Sequence, residues 1–179
     1  HGNPIHPDAA FAKANHQVTM DAIKLANLLG VGVVNGFSGC PGSGPGDKKP
    51  NWVTCAWPPD YLEILDWQWE KQVIPYWTKM NKVLKDAGVK FAFEMHPGFV
   101  VYNTDTLLRL RNTCGTQLGA NFDPSHLFWQ GMEPVECVKA LKGCIYHVHA
   151  KDSIVHQTNA AVNGVNDYKP YGDELNRSW

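Results

Sequence analysis

Acidic and imidazole side chains close several short apolar runs in this 179-residue chain. Glu94 ends Phe91-Ala92-Phe93 and leads into Met95-His96-Pro97-Gly98. Asp123 ends Ala120-Asn121-Phe122 and leads into Pro124-Ser125-His126. His147 and His149 alternate at the end of Ile145-Tyr146-His147-Val148-His149, just before Lys151 and Asp152. Asn35 ends Val33-Val34 and leads into Gly36-Phe37-Ser38. A carboxylate at the end of an apolar strand is costly to desolvate unless it is paired or bound to a cation. Two carboxylates and an imidazole around one centre suit Mg²⁺, Mn²⁺ or Co²⁺, and Zn²⁺ as well.

Such residues need elements that bring them together. Short apolar runs alternate with longer helical patterns, which argues for βα units and a mostly parallel sheet. In a parallel barrel every strand opens its C-terminal end on one face, so residues distant in sequence converge there. A first helix is predicted from about Asp8 to Leu29, with Gly30 as its stop, followed by a strand over Val31–Asn35. A second helix runs from about Pro59 to Ala87, with Leu62, Leu65, Trp69, Val73, Trp77, Met80 and Leu84 at helical steps. Pro75 should kink or divide it. Lys90–Glu94 is a strand. Thr104 or Asp105 caps a helix ending near Gly115. Leu118–Asp123 is a strand, Glu133-Pro134 opens a short helix to Leu141, and Ile145–His149 is the last strand. The polar tail from Ser153 is expected to be irregular.

This order gives an α/β fold, an incomplete (β/α)8 TIM barrel with parallel strands and about five of its eight βα units. On that scale about two strands are missing in front and one behind. Residues 1–179 are read as a single domain, cut at both ends inside a larger fold. The stretch from Ser38 to Trp57 has no periodicity. Loops of that length in compact domains are usually functional, and Trp52 and Trp57 favour one that packs over something. No Gly-Lys-Ser/Thr follows its glycines, so it is not a phosphate-binding loop.

Composition narrows the classes of function. Hydrophobic residues at 44% and charged residues at 18% are those of a soluble globular domain. A net charge of −1, without a block of Lys and Arg, argues against nucleic acid as a partner. The longest apolar runs fall far short of a membrane span. The five cysteines, Cys40, Cys55, Cys114, Cys137 and Cys144, are odd in number and form no C-x-x-C pair. Free thiols in a reducing cytoplasm are therefore expected, and a cysteine zinc site is not.

The phrases HGNPIHPD, VNGFSGCPG, FEMHPGFVVYN, NFDPSHLFWQG and YHVHAKD resemble the xylose isomerase-like sugar isomerase/epimerase superfamily, which includes tagatose- and psicose-type 3-epimerases and inosose dehydratases. FDPSH followed by HVHAKD is the most specific part. The resemblance implies that a Glu, an Asp, a His and a second Glu, each on a different strand, hold one divalent metal. By position the first three are Glu94, Asp123 and His149. The second Glu has no counterpart here, and Glu174 in the tail is not promoted to that role, so this stretch is expected to bind metal weakly and to catalyse poorly or not at all. The resemblance further implies that His126 contacts substrate, or a second metal as in two-metal relatives, and that Asp152 steadies the site from behind or ligates another metal. His1 and His6 fall where the family lines its substrate. Asn35, Trp129 and Lys151 complete the expected substrate-contacting set. Of His147 and His149 only one is expected to point into the barrel, and the family match selects His149. His16, His96 and His156 are read as core or surface histidines, and Trp67, Trp69 and Trp77 as core.

For the reaction, the resemblance implies a keto sugar or polyol held to Mn²⁺, Mg²⁺ or Co²⁺, with Zn²⁺ admissible. Glu94 would remove the proton beside the carbonyl, giving a metal-stabilised ene-diolate, and a second carboxylate would return it. The expected partners are a small sugar and, because an opened barrel exposes strand edges, a second copy of the chain. One alternative is an apurinic-site endonuclease of the endonuclease IV type. That activity needs a three-zinc cluster, and here Asn35 stands where that group has a metal histidine. The other alternative is a non-catalytic sugar-binding relative, whose sugar binding would survive a chelator.

Overall fold

Four apolar runs lie side by side as parallel strands in sequence order: β1 (Val33–Gly36), β2 (Lys90–Glu94), β3 (Leu118–Phe122) and β4 (Ile145–Val148). This computed structural model describes residues 2–166, 168–170 and 172–179. The sheet curls, so that β1 and β4 approach each other across its inner face. The result is a half-barrel, as an incomplete (β/α)8 barrel requires.

Strand alternation divides the side chains between two faces. Phe91 and Phe93 of β2 point outward and pack on Trp77, with ring centroids 4.9 and 4.5 Å away. Leu118 and Ala120 of β3 pair with them in register and are fully buried. The opposite, inner face carries Glu94, which pairs with Asn121, which in turn pairs with His147. One row of polar residues thus crosses three strands.

Helices cover the outer face. In α1 (Ala9–Leu29) the Asp8 carboxylate accepts from the Ala10 and Phe11 N–H groups, and Gly30 ends the helix at φ 70°. The expected helix from Pro59 to Ala87 is present as α2 (Asp60–Trp67) and α3 (Ile74–Ala87), joined by a π-helical turn over Gln68–Val73. Pro75 accordingly sits in the first turn of α3, where a missing N–H costs little. The turn also buries Gln68, whose amide donates to the Gly42 and Asn51 carbonyls. It thereby anchors the long loop after β1. Trp77 Nε1 donates to Ser38 O at 2.9 Å at the start of that loop. Trp52 packs edge-on against Tyr102, whereas Trp57 is exposed.

Several sequence expectations change. The cap of α4 (Thr104–Cys114) is Asn103, not Thr104 or Asp105, because Asn103 and Thr106 exchange hydrogen bonds in a capping box. Asp123 and His149 lie just beyond β3 and β4, where the chain leaves the sheet. Two short helices follow β3, α5 (Ser125–Phe128) and α6 (Pro134–Ala140). The tail expected to be irregular contains α7 (Gln157–Asn163), which buries none of its residues and so left no apolar pattern to read. Among the described residues no helix is long and apolar enough to cross a membrane.

Candidate metal centre

At the C-terminal ends of β2, β3 and β4 the chain brings Glu94, Asp123 and His149 together. Each offers one ligand atom, and these atoms lie within 4.8 Å of one another. His149 Nδ1 is 3.5 Å from Glu94 Oε2 and 3.4 Å from Asp123 Oδ2. The His149 N–H donates to Phe122 O at 2.9 Å, which fixes the end of β4 beside the end of β3.

Asp123 is fully buried. Its Oδ1 accepts from the Ser125 N–H at 3.0 Å and the Ser125 hydroxyl at 2.6 Å. Its Oδ2 has no aligned donor, although the Lys151 ammonium stands 2.8 Å away. A buried carboxylate oxygen in that position fits a cation. Burial pushes the Asp123 carboxyl up, but Lys151 and Ser125 outweigh it and hold the group below the usual range. The His126 hydrogen bond holds the Glu94 carboxyl low against its own burial. Both groups are therefore anionic at neutral pH, as metal ligands must be.

His126 and Lys151 complete the cluster. His126 Nε2 lies 3.1 Å from Glu94 Oε1 and 3.7 Å from Asp123 Oδ2. Lys151 Nζ is 3.1 Å from His126 Nε2 and 3.9 Å from Glu94 Oε1. Glu94, His96 and His126 form a second group with ligand-like spacing. His96 hydrogen-bonds through Nδ1 to Pro97 O, and burial keeps its imidazole pKa low.

Comparison with known proteins places the fold. Residues 1–178 match the family described as "Xylose isomerase-like TIM barrel". The chain belongs to that family. It is 44% identical to the protein YfiH of Bacillus subtilis (strain 168) over 181 residues, 99% of this chain and 58% of that protein. It therefore spans little more than half the length of that relative. Over 76 residues, 42% of this chain and 26% of the relative, it is 33% identical to an inosose dehydratase of Clostridium botulinum (strain Alaska E43 / Type E3). A solved structure of a D-tagatose 3-epimerase-like protein superposes with a TM-score of 0.58 at 25% identity, covering 84% of this chain and 52% of the other.

Other residues singled out in the sequence fall at varied distances from the Glu94–Asp123–His149 cluster. Asn35 is exposed on β1 and pairs in register with Ala92, on the same inner face as Glu94 but a step below it. His6 accepts from the Asp8 N–H at 2.9 Å and leans on Phe11. It lines a cavity of about 620 Å³ beside α1, to which none of Glu94, Asp123 and His149 contributes. His1 lies outside the described residues. Trp129 is buried, with its ring stacked on Trp179 at 4.1 Å, so the face expected to meet a sugar is covered. Asp152 accepts from the Ser153 N–H and serves its own turn.

One expectation rested on faulty geometry. Residues two apart on a strand share a face, so His147 and His149 cannot be divided between the two sides. Both reach Asn121. Sequence reading also passed over Asn121 and Ser125 and left His96 among the ordinary histidines. An amide within an otherwise apolar strand was the available signal, since a buried amide demands partners.

Proposed function

We propose that the chain supplies the metal-binding half of a divalent-metal-dependent sugar isomerase or epimerase acting on a keto sugar or polyol. The observation that carries this reading is the meeting of Glu94, Asp123 and His149, with ligand atoms within 4.8 Å of one another, around a buried carboxylate. The D-tagatose 3-epimerase-like neighbour and the inosose dehydratase relative support a sugar as substrate.

Glu94, Asp123 and His149 would hold Mn²⁺, Mg²⁺ or Co²⁺, hard or borderline cations suited to two carboxylates and one imidazole. When bound, such an ion supplies Lewis-acid polarisation of a substrate carbonyl. The rest falls to the chain. Ser125 occupies Asp123 Oδ1 and so aims Oδ2 at the centre. Glu94, kept ionised by His126, accepts the proton from the carbon beside the carbonyl at Oε1. His126 Nε2 and Lys151 Nζ, on the same side of Glu94, bind substrate hydroxyls and offset the negative charge that develops.

Titration calorimetry with Mn²⁺ tests the ligand set. The unaltered chain binds one ion, and Asp123→Ala weakens binding by more than about 100-fold, beyond the effect of losing a supporting contact. Equal binding by both proteins removes Asp123 from the site.

A further inference from the structure

The cavity of about 620 Å³ beside α1 shares no residue with the Glu94–Asp123–His149 cluster. Its volume falls within the roughly 300–1,000 Å³ of small-molecule sites. Three separate segments wall it: the start of α1 with the residues before it, the loop after β1, and the stretch from Trp67 to Lys79 across the π-turn. Five of the lining residues are prolines, whose rings are apolar and whose backbone is already restricted. The loop wall is tied down by its own hydrogen bonds. Asp47 Oδ2 accepts from the Ser43 and Gly44 N–H groups, and the Asn51 N–H donates to Pro41 O at 2.9 Å. On the helical wall the Tyr76 hydroxyl meets His16 Nδ1 at 3.0 Å, and the Tyr76 ring stands edge-on to Trp77. The cavity is therefore formed before any ligand enters, and little ordering is left to oppose binding.

Its polar groups are few and unpaired. Trp69 and Trp77 join the core, but Trp67, expected there as well, is half-buried and lines the cavity instead. Among the described residues its indole N–H finds no acceptor and its ring no aromatic neighbour. His6 Nδ1 accepts from the Asp8 N–H, which leaves the ring proton on Nε2. Among the described residues neither the Gln72 amide nor the Lys79 ammonium has a partner, and Asp47 Oδ1 has no donor.

We propose that this cavity is a second ligand site, which takes a small uncharged polyhydroxylated ring, a pyranose in size and chemistry, stacked on Trp67. The proposal stands independently of any metal at Glu94, Asp123 and His149. Three features select that class of ligand. Proline and tryptophan surfaces beside donors and acceptors match a ring that shows C–H groups on its faces and hydroxyls on its rim. Lys79 and Asp47 carry opposite charges, so a charged ligand is repelled by one of them. A purely apolar ring would strip water from Gln72, Asp47 and Lys79 without replacing its hydrogen bonds, whereas hydroxyls replace them. Asp47 is the only carboxylate in the lining, so the site holds its ligand without a carboxylate pair to act on it.

The test titrates methyl β-D-glucopyranoside into ¹⁵N-labelled protein with a chelator present, which keeps metal from the carboxylates. Amide signals of Ala9, Ala12, Gly44 and Gly46 and the Trp67 indole signal shift together and saturate with a Kd on the order of 1–10 mM. Trp67→Leu weakens that response by at least about tenfold, while Asp123→Ala leaves it within about twofold of the parent. If Trp67→Leu is unfolded by circular dichroism, Gln72→Met takes its place, with a weakening of about threefold or more. Absence of saturable shifts at these signals up to about 100 mM glycoside overturns the proposal. Shifts confined to residues around Glu94, Asp123 and His149 overturn it too, as does a parent-like response in the folded variant. Saturation by inorganic phosphate but not by the glycoside overturns the assignment to an uncharged ring.

Discussion

Lys151 holds a position that cuts two ways. Its ammonium lies 2.8 Å from Asp123 Oδ2, the oxygen best placed for a cation, yet half of its side chain is exposed. An exposed ammonium is well solvated and contributes little to stability. It nonetheless competes electrostatically with any ion drawn to the same oxygen. Lys151→Met should therefore tighten Mn²⁺ binding by roughly threefold to tenfold in calorimetry. Unchanged or weaker Mn²⁺ binding would show that Lys151 and the ion do not share Asp123. At this scale the sequence was informative where a charged residue ended an apolar run, as with Glu94, Asp123 and His149. It marked Asn121 only as an amide within an apolar strand, without its partners on another strand, and was silent on Trp129, whose stacking partner Trp179 is distant in sequence. Long-range pairings of this kind leave no local pattern.

Among the elements, β3 and β4 do most to place the centre, and Gly119 permits their approach. A Cβ there would stand 2.5 Å from the Cys144 carbonyl oxygen and overlap the Tyr146 ring. Backbone cannot withdraw as a side-chain tip can, so Gly119→Ala should cost about 1–3 kcal/mol in urea unfolding. A smaller loss would mean that the β3–β4 pairing, whose register shifts between Ala120 and Asn121, relaxes easily. The cap of α1 offers a pH test. The Phe11 N–H holds the Asp8 carboxyl below its ordinary value of 3.8. A lowered folded pKa means that the cap's contribution is full above the unfolded value and is lost as pH falls through the folded one. Asp8→Asn caps without titrating, so its melting temperature should fall less than the parent's between about pH 5 and pH 2. Parallel declines would remove Asp8 from the acid response. All four strands and the helices α1, α4 and α6 were readable from periodicity and stop signals. The π-turn was not, because a change of winding over Gln68–Val73 hardly disturbs the apolar spacing. Nor was α7, which packs no apolar face.

For the whole molecule, the curled sheet explains why side chains from the ends of three strands meet at all. Parallel strands open their C-terminal ends on one side, and curling turns their inner faces toward one another. That much follows from the βα alternation alone. The chain spans 58% of the length of YfiH, so a complete reaction belongs to the proposal and not to the half-barrel in view. The central claim concerns one cation and three side chains. Crystals grown with Mn²⁺ and measured for anomalous scattering test it most directly. One strong peak is expected within about 2.0–2.6 Å of a Glu94 oxygen, an Asp123 oxygen and a His149 ring nitrogen. At saturating Mn²⁺, the lack of a peak there, or peaks at surface carboxylates alone, would contradict it.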